Sequence, residues 1–114
     1  MERKKQLKEE YRRMKPAMGV FSIQSNITNK RYLEGTTNLK AGINRVVFQL
    51  NHGSHPHREL QTDWNEQGEE SFTITVIDEL PYSEDGTVKD YKEEVMELQS
   101  IWQEKLRLDG ESLY

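Results

Sequence analysis

One stretch of the chain combines a turn with a side chain that could do chemistry. Residues 30–39 (KRYLEGTTNL) begin as a strand and end as the start of a helix. A tight strand-to-helix turn usually has glycine as soon as the strand stops, whereas here Glu34 comes first. Its carboxylate is a candidate acid or metal ligand. The alternative is a solvated carboxylate at the strand end, paired with Lys40 or Arg31.

Three histidines form a second candidate site. His52, His55 and His57 follow the pattern H-x-x-H-x-H, which could bind a transition metal. Glycine and proline residues between them indicate a loop at a helix end, and only one acid, Glu59, adjoins them. We therefore expect ordinary loop histidines and no metal site.

The elements that would position these residues follow from hydrophobic periodicity and turn chemistry. An Asn-rich turn joins the first two strands into a hairpin, and Asn38 is placed as the N-cap of the helix that follows. The predicted order is helix, strand, strand, helix, helix, strand, helix, over residues 2–14, 19–24, 31–36, 39–50, 56–67, 71–80 and 89–106. Three strands cannot bury both faces without helices. The predicted fold is α+β, a small three-stranded antiparallel sheet flanked by helices, with an extra N-terminal helix.

Length and composition limit the class of protein. With 114 residues the chain predicts one domain with a modest core, and ten aromatic residues argue against disorder. It has no cysteine and no apolar run long enough for a membrane span, so we expect a cytoplasmic protein without a membrane partner. Residues 1–60 carry 12 Lys and Arg against 5 Asp and Glu, and residues 61–114 carry 4 against 15. This asymmetry permits an anion-binding half, but pairing of the two halves is the simpler interpretation.

The chain divides into three predicted segments. Residues 1–16 form a basic helix with a thin apolar stripe, which could dock onto the domain, pack against another chain or bind nucleic acid. Residues 17–108 form the domain, and residues 109–114 form a loose tail.

In order and spacing, the motifs along this domain resemble those of the GIY-YIG endonuclease family. The matching residues are Gly19-Val20-Phe21, Tyr32-Leu33-Glu34, Asn38-Leu39, Gly53-Ser54-His55, Leu60-Gln61, Asn65, Gly68, Phe72 and Trp102. They cover residues 17–108. Each motif alone is a weak signal, and their order and spacing together predict the fold.

The resemblance implies a DNA-cleaving site with two tyrosines, an arginine, a histidine and a glutamate that holds one divalent cation. The corresponding positions here are Phe21, Tyr32, Gly42, Val46 and Gln99, and Glu34 replaces the glycine of the second motif. Only Tyr32 keeps the family's residue. Arg45, three residues beyond Gly42, could substitute for the arginine.

The resemblance therefore implies a domain that has lost nuclease activity, needs no cofactor and acts by binding nucleic acid or a protein. Nucleic acid would be bound weakly through the basic first half, at Lys30, Arg31, Lys40, Arg45, His55 and Arg58. The alternative is a divergent endonuclease that uses Tyr32, Arg45 and Glu34, with His55 assisting, and depends on Mg²⁺ or Mn²⁺. A third hypothesis is an oligomerising role through the N-terminal helix.

Overall fold

A computed structural model describes residues 15–83 and 90–114 of the chain. Its three strands are β1 (Met18–Ser25), β2 (Arg31–Thr36) and β3 (Phe72–Leu80), and they form one antiparallel sheet in the order β2-β1-β3. The helices are α1 (Leu39–Asn51), α2 (Arg58–Gln67) and α3 (Lys92–Leu108). The prediction of an α+β fold with a three-stranded antiparallel sheet is confirmed. The predicted N-terminal helix, residues 2–14, lies outside the described residues.

Helices cover both faces of the sheet, as a sheet of this size requires. On one face Phe21 and Ile23 of the central strand pack against α1 and α2 in the larger core cluster. On the other face Val20 and Leu33 pack against Leu106 of α3. The alternation of side chains along β1 and β2 thus gives each face its own core. Among the described residues, no helix is long and apolar enough to cross a membrane.

A β-bulge in β3 brings two consecutive residues to the face of the sheet that α3 covers. Phe21 pairs with Val76, but its neighbour Val20 pairs with Asp78, so Ile77 is the extra residue. Ile77 and Asp78 therefore both contact the α3 side, where Ile77 packs in the smaller cluster and Asp78 accepts a hydrogen bond from the Trp102 indole (2.9 Å). The bulge thus anchors α3 to the strand that lies farthest from β2.

The helix boundaries follow local capping. The Asn38 side chain accepts a hydrogen bond from the backbone N–H of Ala41, which confirms it as the N-cap of α1. The predicted opening of α2 at Pro56 is wrong, because the cap is the ring of His57, which accepts from the N–H of Leu60. The last helix begins at Lys92 instead of Lys89 and continues to Leu108.

The prediction of a loose tail at residues 109–114 is also wrong. Leu113 forms a parallel bridge with Arg31 at the outer edge of β2 and packs against the smaller core cluster. The Tyr114 hydroxyl donates to the Asp63 carboxylate on α2 (2.7 Å), and its ring packs against the larger cluster. The sequence does not indicate this contact, because the strand edge with which the tail pairs exists only in the folded domain.

Candidate functional site

A cleft of about 410 Å³ opens where β2 ends, between α1 and the first half of α3. Its lining residues are Glu34, Gly35, Thr36, Thr37, Arg45, Asp90, Lys92, Val95, Met96 and Gln99. Three candidate residues from the sequence, Glu34, Arg45 and Gln99, are therefore brought together here. Strand β2 supplies the first, α1 the second and α3 the third.

Both oxygens of the Glu34 carboxylate have partners. The Tyr32 hydroxyl donates to Oε1 (2.8 Å), and Arg45 Nη2 donates to Oε2 (2.8 Å). The Glu34 side chain is only 18% exposed, whereas that of Arg45 is 62% exposed and reaches in from solvent. The predicted pairing of Glu34 with Lys40 or Arg31 is therefore wrong. Its partner is Arg45, which lies on α1 one helical turn beyond Gly42 and reaches the end of β2.

Tyr32 lies against two of the histidines. Its ring meets that of His55 edge-on, with centroids 5.2 Å apart, and that of His57 at 6.0 Å. Nδ1 of His55 accepts from the N–H of His57 (3.1 Å), and Nδ1 of His57 accepts from Leu60. A neutral ring in either position therefore carries its proton on Nε2.

The surroundings shift the pKa values of this group. Burial is the main cause that raises the pKa of Tyr32 well above its usual value, and the hydrogen bond to Glu34 adds to it. Burial likewise lowers the pKa of His55, although the nearby Glu34 carboxylate acts in the opposite direction. At neutral pH the site thus holds a neutral phenol and a neutral imidazole beside a carboxylate–guanidinium pair. A phenol in this state is a poor general base.

The pKa shift of His55 predicts an acid dependence of stability. An imidazole whose folded pKa is lowered contributes stability above the unfolded pKa of about 6.5, and this contribution is lost as the pH falls through the folded pKa. The His55→Asn variant keeps an acceptor for the His57 N–H, and we expect its free energy of unfolding to fall less between pH 7.5 and 5 than that of the native chain. Urea titrations at both pH values measure this, with His52→Asn as the exposed control. An unchanged dependence in His55→Asn would contradict the assignment.

Gln99 has a structural role in this domain. Its Oε1 accepts a hydrogen bond from the backbone N–H of Gly35 (2.8 Å), which ties α3 to the end of β2. The prediction that Gln99 is half-buried and hydrogen-bonded is confirmed. A divalent cation at this position would find a neutral amide whose oxygen is already engaged, a poor fit for a hard ion that prefers carboxylates.

Three further positions in the implied catalytic set are closed to the cleft. Phe21 and Val46 are both 0% exposed and belong to the larger core cluster. Gly42 is buried against β2, and a Cβ atom there would lie 2.9 Å from the Thr36 hydroxyl oxygen. A side chain at position 42 would therefore require the Thr36 side chain to shift.

The three histidines do not converge on a common point. The ring of His52 stacks on Phe48 (4.1 Å between centroids), and its Nδ1 donates to the Phe48 carbonyl on α1. His55 and His57 each use Nδ1 to accept from a backbone N–H. Within residues 15–83 and 90–114, no group of three His, Asp or Glu side chains is arranged to hold a metal ion.

Three of the six residues proposed for nucleic-acid binding have acidic partners. Lys30 pairs with Glu59, Arg31 with Glu111 (3.7 Å) and Arg45 with Glu34. Lys40 and Arg58 are exposed. Pairing between the basic and acidic halves accounts for only one of these pairs, Arg31–Glu111, and the other two lie within the basic half.

Two residues that contact the candidate site residues were not predicted from the sequence. Gly35 lies close to the backbone of α3, since a Cβ there would collide with the carbonyl group of Val95. Tyr114 contacts His57 edge-on at 5.9 Å, far along the chain from the motifs. The glycine after Glu34 could have indicated that another backbone segment approaches closely there. Nothing in the sequence indicates the contact between Tyr114 and His57.

The strand order and the helices on both faces match a fold that is known from solved structures. Its structural neighbours include two structures of the catalytic domain of the homing endonuclease I-TevI. The first, a mutant of the domain from this intron endonuclease, has a TM-score of 0.66 at 22% identity, over 84% of this chain and 90% of that one. The second has a TM-score of 0.64 at 22% identity, over 83% and 94%.

At this identity the likeness concerns the fold, and at that level it confirms the resemblance inferred from the motifs. No family model matches the chain. No curated protein matches it either.

Proposed function

We propose that this chain is a GIY-YIG-like domain that has lost nuclease activity and acts by binding nucleic acid or a protein. The observation that carries the proposal is the hydrogen bond from the Gly35 N–H to Gln99 Oε1. At the position where the resemblance implies a metal-binding carboxylate, the chain has an amide that holds α3 against β2. Without a cation at the scissile phosphate, phosphodiester cleavage lacks its main source of charge stabilisation.

The charges of the cleft favour a protein over nucleic acid. A phosphate that approached Arg45 would have to displace the Glu34 carboxylate or lie beside it, and like charges at that distance repel. Lys30 and Arg31 are likewise paired with acids. A duplex would therefore bind through few unpaired cations, so its affinity would be low even at low salt.

Cleavage and binding are tested together with the full chain. Supercoiled plasmid is incubated with the protein and Mg²⁺ or Mn²⁺, and binding of a fluorescent duplex is measured by anisotropy at low and moderate salt. We expect no nicked or linear product, and weak binding that moderate salt abolishes. Metal-dependent nicking above the level of a buffer control would contradict the loss of activity.

A divergent nuclease is the second candidate, because Tyr32, Glu34, Arg45 and His55 form one connected group. In this alternative Glu34 would have to break its hydrogen bond with Tyr32 or Arg45 in order to bind a cation. Nicking that is lost in Tyr32→Phe but kept in Tyr82→Phe would establish it. The second variant is the control, since the Tyr82 hydroxyl donates to the Pro16 carbonyl, away from the cleft.

A further inference from the structure

One flank of α3 presents apolar side chains to solvent, and we call it the outer stripe of α3. Its members are spaced alternately by three and four residues, which keeps them on one side of the helix. They are Tyr91, Glu94, Leu98, Ile101, Lys105 and Leu108. Leu98 packs against the smaller core cluster, whereas Ile101 is 57% exposed and Leu108 is 77% exposed. Apolar side chains at this spacing are typical of a helix that packs against a second helix.

The charges along this flank are mainly acidic. Glu93, Glu94 and Glu97 are exposed, and they have no ion-pair partner among the described residues. The one cation of the outer stripe, Lys105, lies over the ring of Trp102 (4.7 Å). A helix that combines apolar and basic side chains would therefore complement this flank of α3.

The N-terminal part of the chain is attached beside the outer stripe. The Tyr82 hydroxyl donates to the Pro16 carbonyl (2.6 Å), and the Lys15 ammonium lies over the Tyr82 ring (5.0 Å). The Tyr82 ring meets that of Tyr91 edge-on, with centroids 5.2 Å apart. Because Tyr91 is the first member of the outer stripe, the segment that precedes Lys15 joins the domain at that end of the stripe.

The sequence of residues 2–14 (ERKKQLKEEYRRM) has the composition that this flank calls for. Six Lys and Arg residues outnumber three Glu residues, and Leu7, Tyr11 and Met14 form the apolar stripe of the helix predicted there. A helix of 13 residues is about 20 Å long, and the 17 residues of α3 span about 26 Å. The segment is therefore long enough to cover most of the outer stripe.

We propose that residues 2–14 dock as a helix onto the outer stripe of α3 in the same chain and run antiparallel to α3. The attachment at Lys15 sets this direction, because the segment must start beside Tyr91 and can cover the stripe only by running toward Leu108. Leu7 then packs against Leu98, seven residues from each starting point.

The same arrangement pairs charges along the two helices. Lys8 lies beside Glu97, and Arg12 lies beside Glu93. Exposed ion pairs contribute little alone, so the apolar contacts hold the segment and the charges select its orientation. These cations then face α3 and are not available to nucleic acid. Docking of the segment does not depend on the loss of nuclease activity.

Limited digestion of the full chain with trypsin tests the docking. Trypsin cuts after Lys and Arg, and it cuts a docked segment only when that segment leaves α3, so the rate follows the undocked fraction. We expect Ile101→Ser to speed cleavage within residues 2–14 at least about fivefold, as followed by mass spectrometry. Met96→Ser is the matched control, because Met96 is an exposed apolar residue of α3 that faces the cleft instead.

A second pair of variants tests the segment itself. Leu7→Ser should speed cleavage as Ile101→Ser does, whereas Gln6→Ser, outside the apolar stripe of the segment, should leave the rate unchanged. Equal rates in Ile101→Ser and Met96→Ser would overturn docking on the outer stripe. Protection that rises with protein concentration would overturn docking within one chain, because the segment of a second copy would then cover α3. Protection that appears only with added DNA would overturn it in favour of a nucleic-acid arm.

Discussion

Replacing Gly35 by alanine should destabilise the domain far more than the same change at Gly53. The added Cβ would lie 3.0 Å from the carbonyl carbon of Val95 and still closer to its oxygen. Both neighbours are backbone, so no side-chain rotation relieves the clash, and α3 must move away from β2. We expect a loss of about 3 kcal/mol or more in the free energy of unfolding, at the upper end for overpacked sites.

Urea titration followed by the fluorescence of Trp64 and Trp102 measures this loss. Gly53→Ala is the matched control, because that glycine has a φ of +72° but open space around its Cβ. It should cost about 1 kcal/mol, from backbone strain alone. Equal losses in the two variants would show that the contact between β2 and α3 is not close, and would remove the basis for the role assigned to Gln99.

Replacing Phe21 by alanine should produce the second large loss. Phe21 is 0% exposed and lies in the larger core cluster beside Ile23 and Val46. Truncating a buried phenylalanine costs about 3–5 kcal/mol, since it removes apolar burial and leaves a cavity. Phe21→Leu, which keeps much of the volume, should cost less than about 1.5 kcal/mol.

Urea titration of both variants is the measurement. A small loss of unfolding free energy in Phe21→Ala would contradict the view that Phe21 is a packing residue.

The fold was largely predictable because periodicity and capping are local. The hairpin at residues 25–30 and the N-cap at Asn38 follow from short stretches, and the structure confirms both. The start of α2 was harder, since Pro56 and the His57 ring are alternative signals only one residue apart. Local chemistry thus places elements well and places their ends less well.

The site was only partly predictable because its contacts are long-range. The sequence suggested that Arg45 could reach the cleft. The structure shows the contact that brings it there, with Glu34, 11 residues earlier in the chain. By contrast, Gly35–Gln99 joins residues 64 apart, and Tyr114–Asp63 joins residues 51 apart. No periodicity connects such positions, so neither the tie to α3 nor the docked tail could be inferred.

A Mn²⁺ titration of the ¹⁵N-labelled chain tests directly whether the cleft can hold a catalytic cation. Paramagnetic broadening locates bound Mn²⁺ by residue. We expect no saturable broadening of the Gly35 amide or the Gln99 side-chain amide at micromolar Mn²⁺, because the Gln99 oxygen is held by Gly35 and both Glu34 oxygens have partners. Saturable broadening centred on Glu34, Gly35 and Gln99 would contradict the account and favour the divergent nuclease.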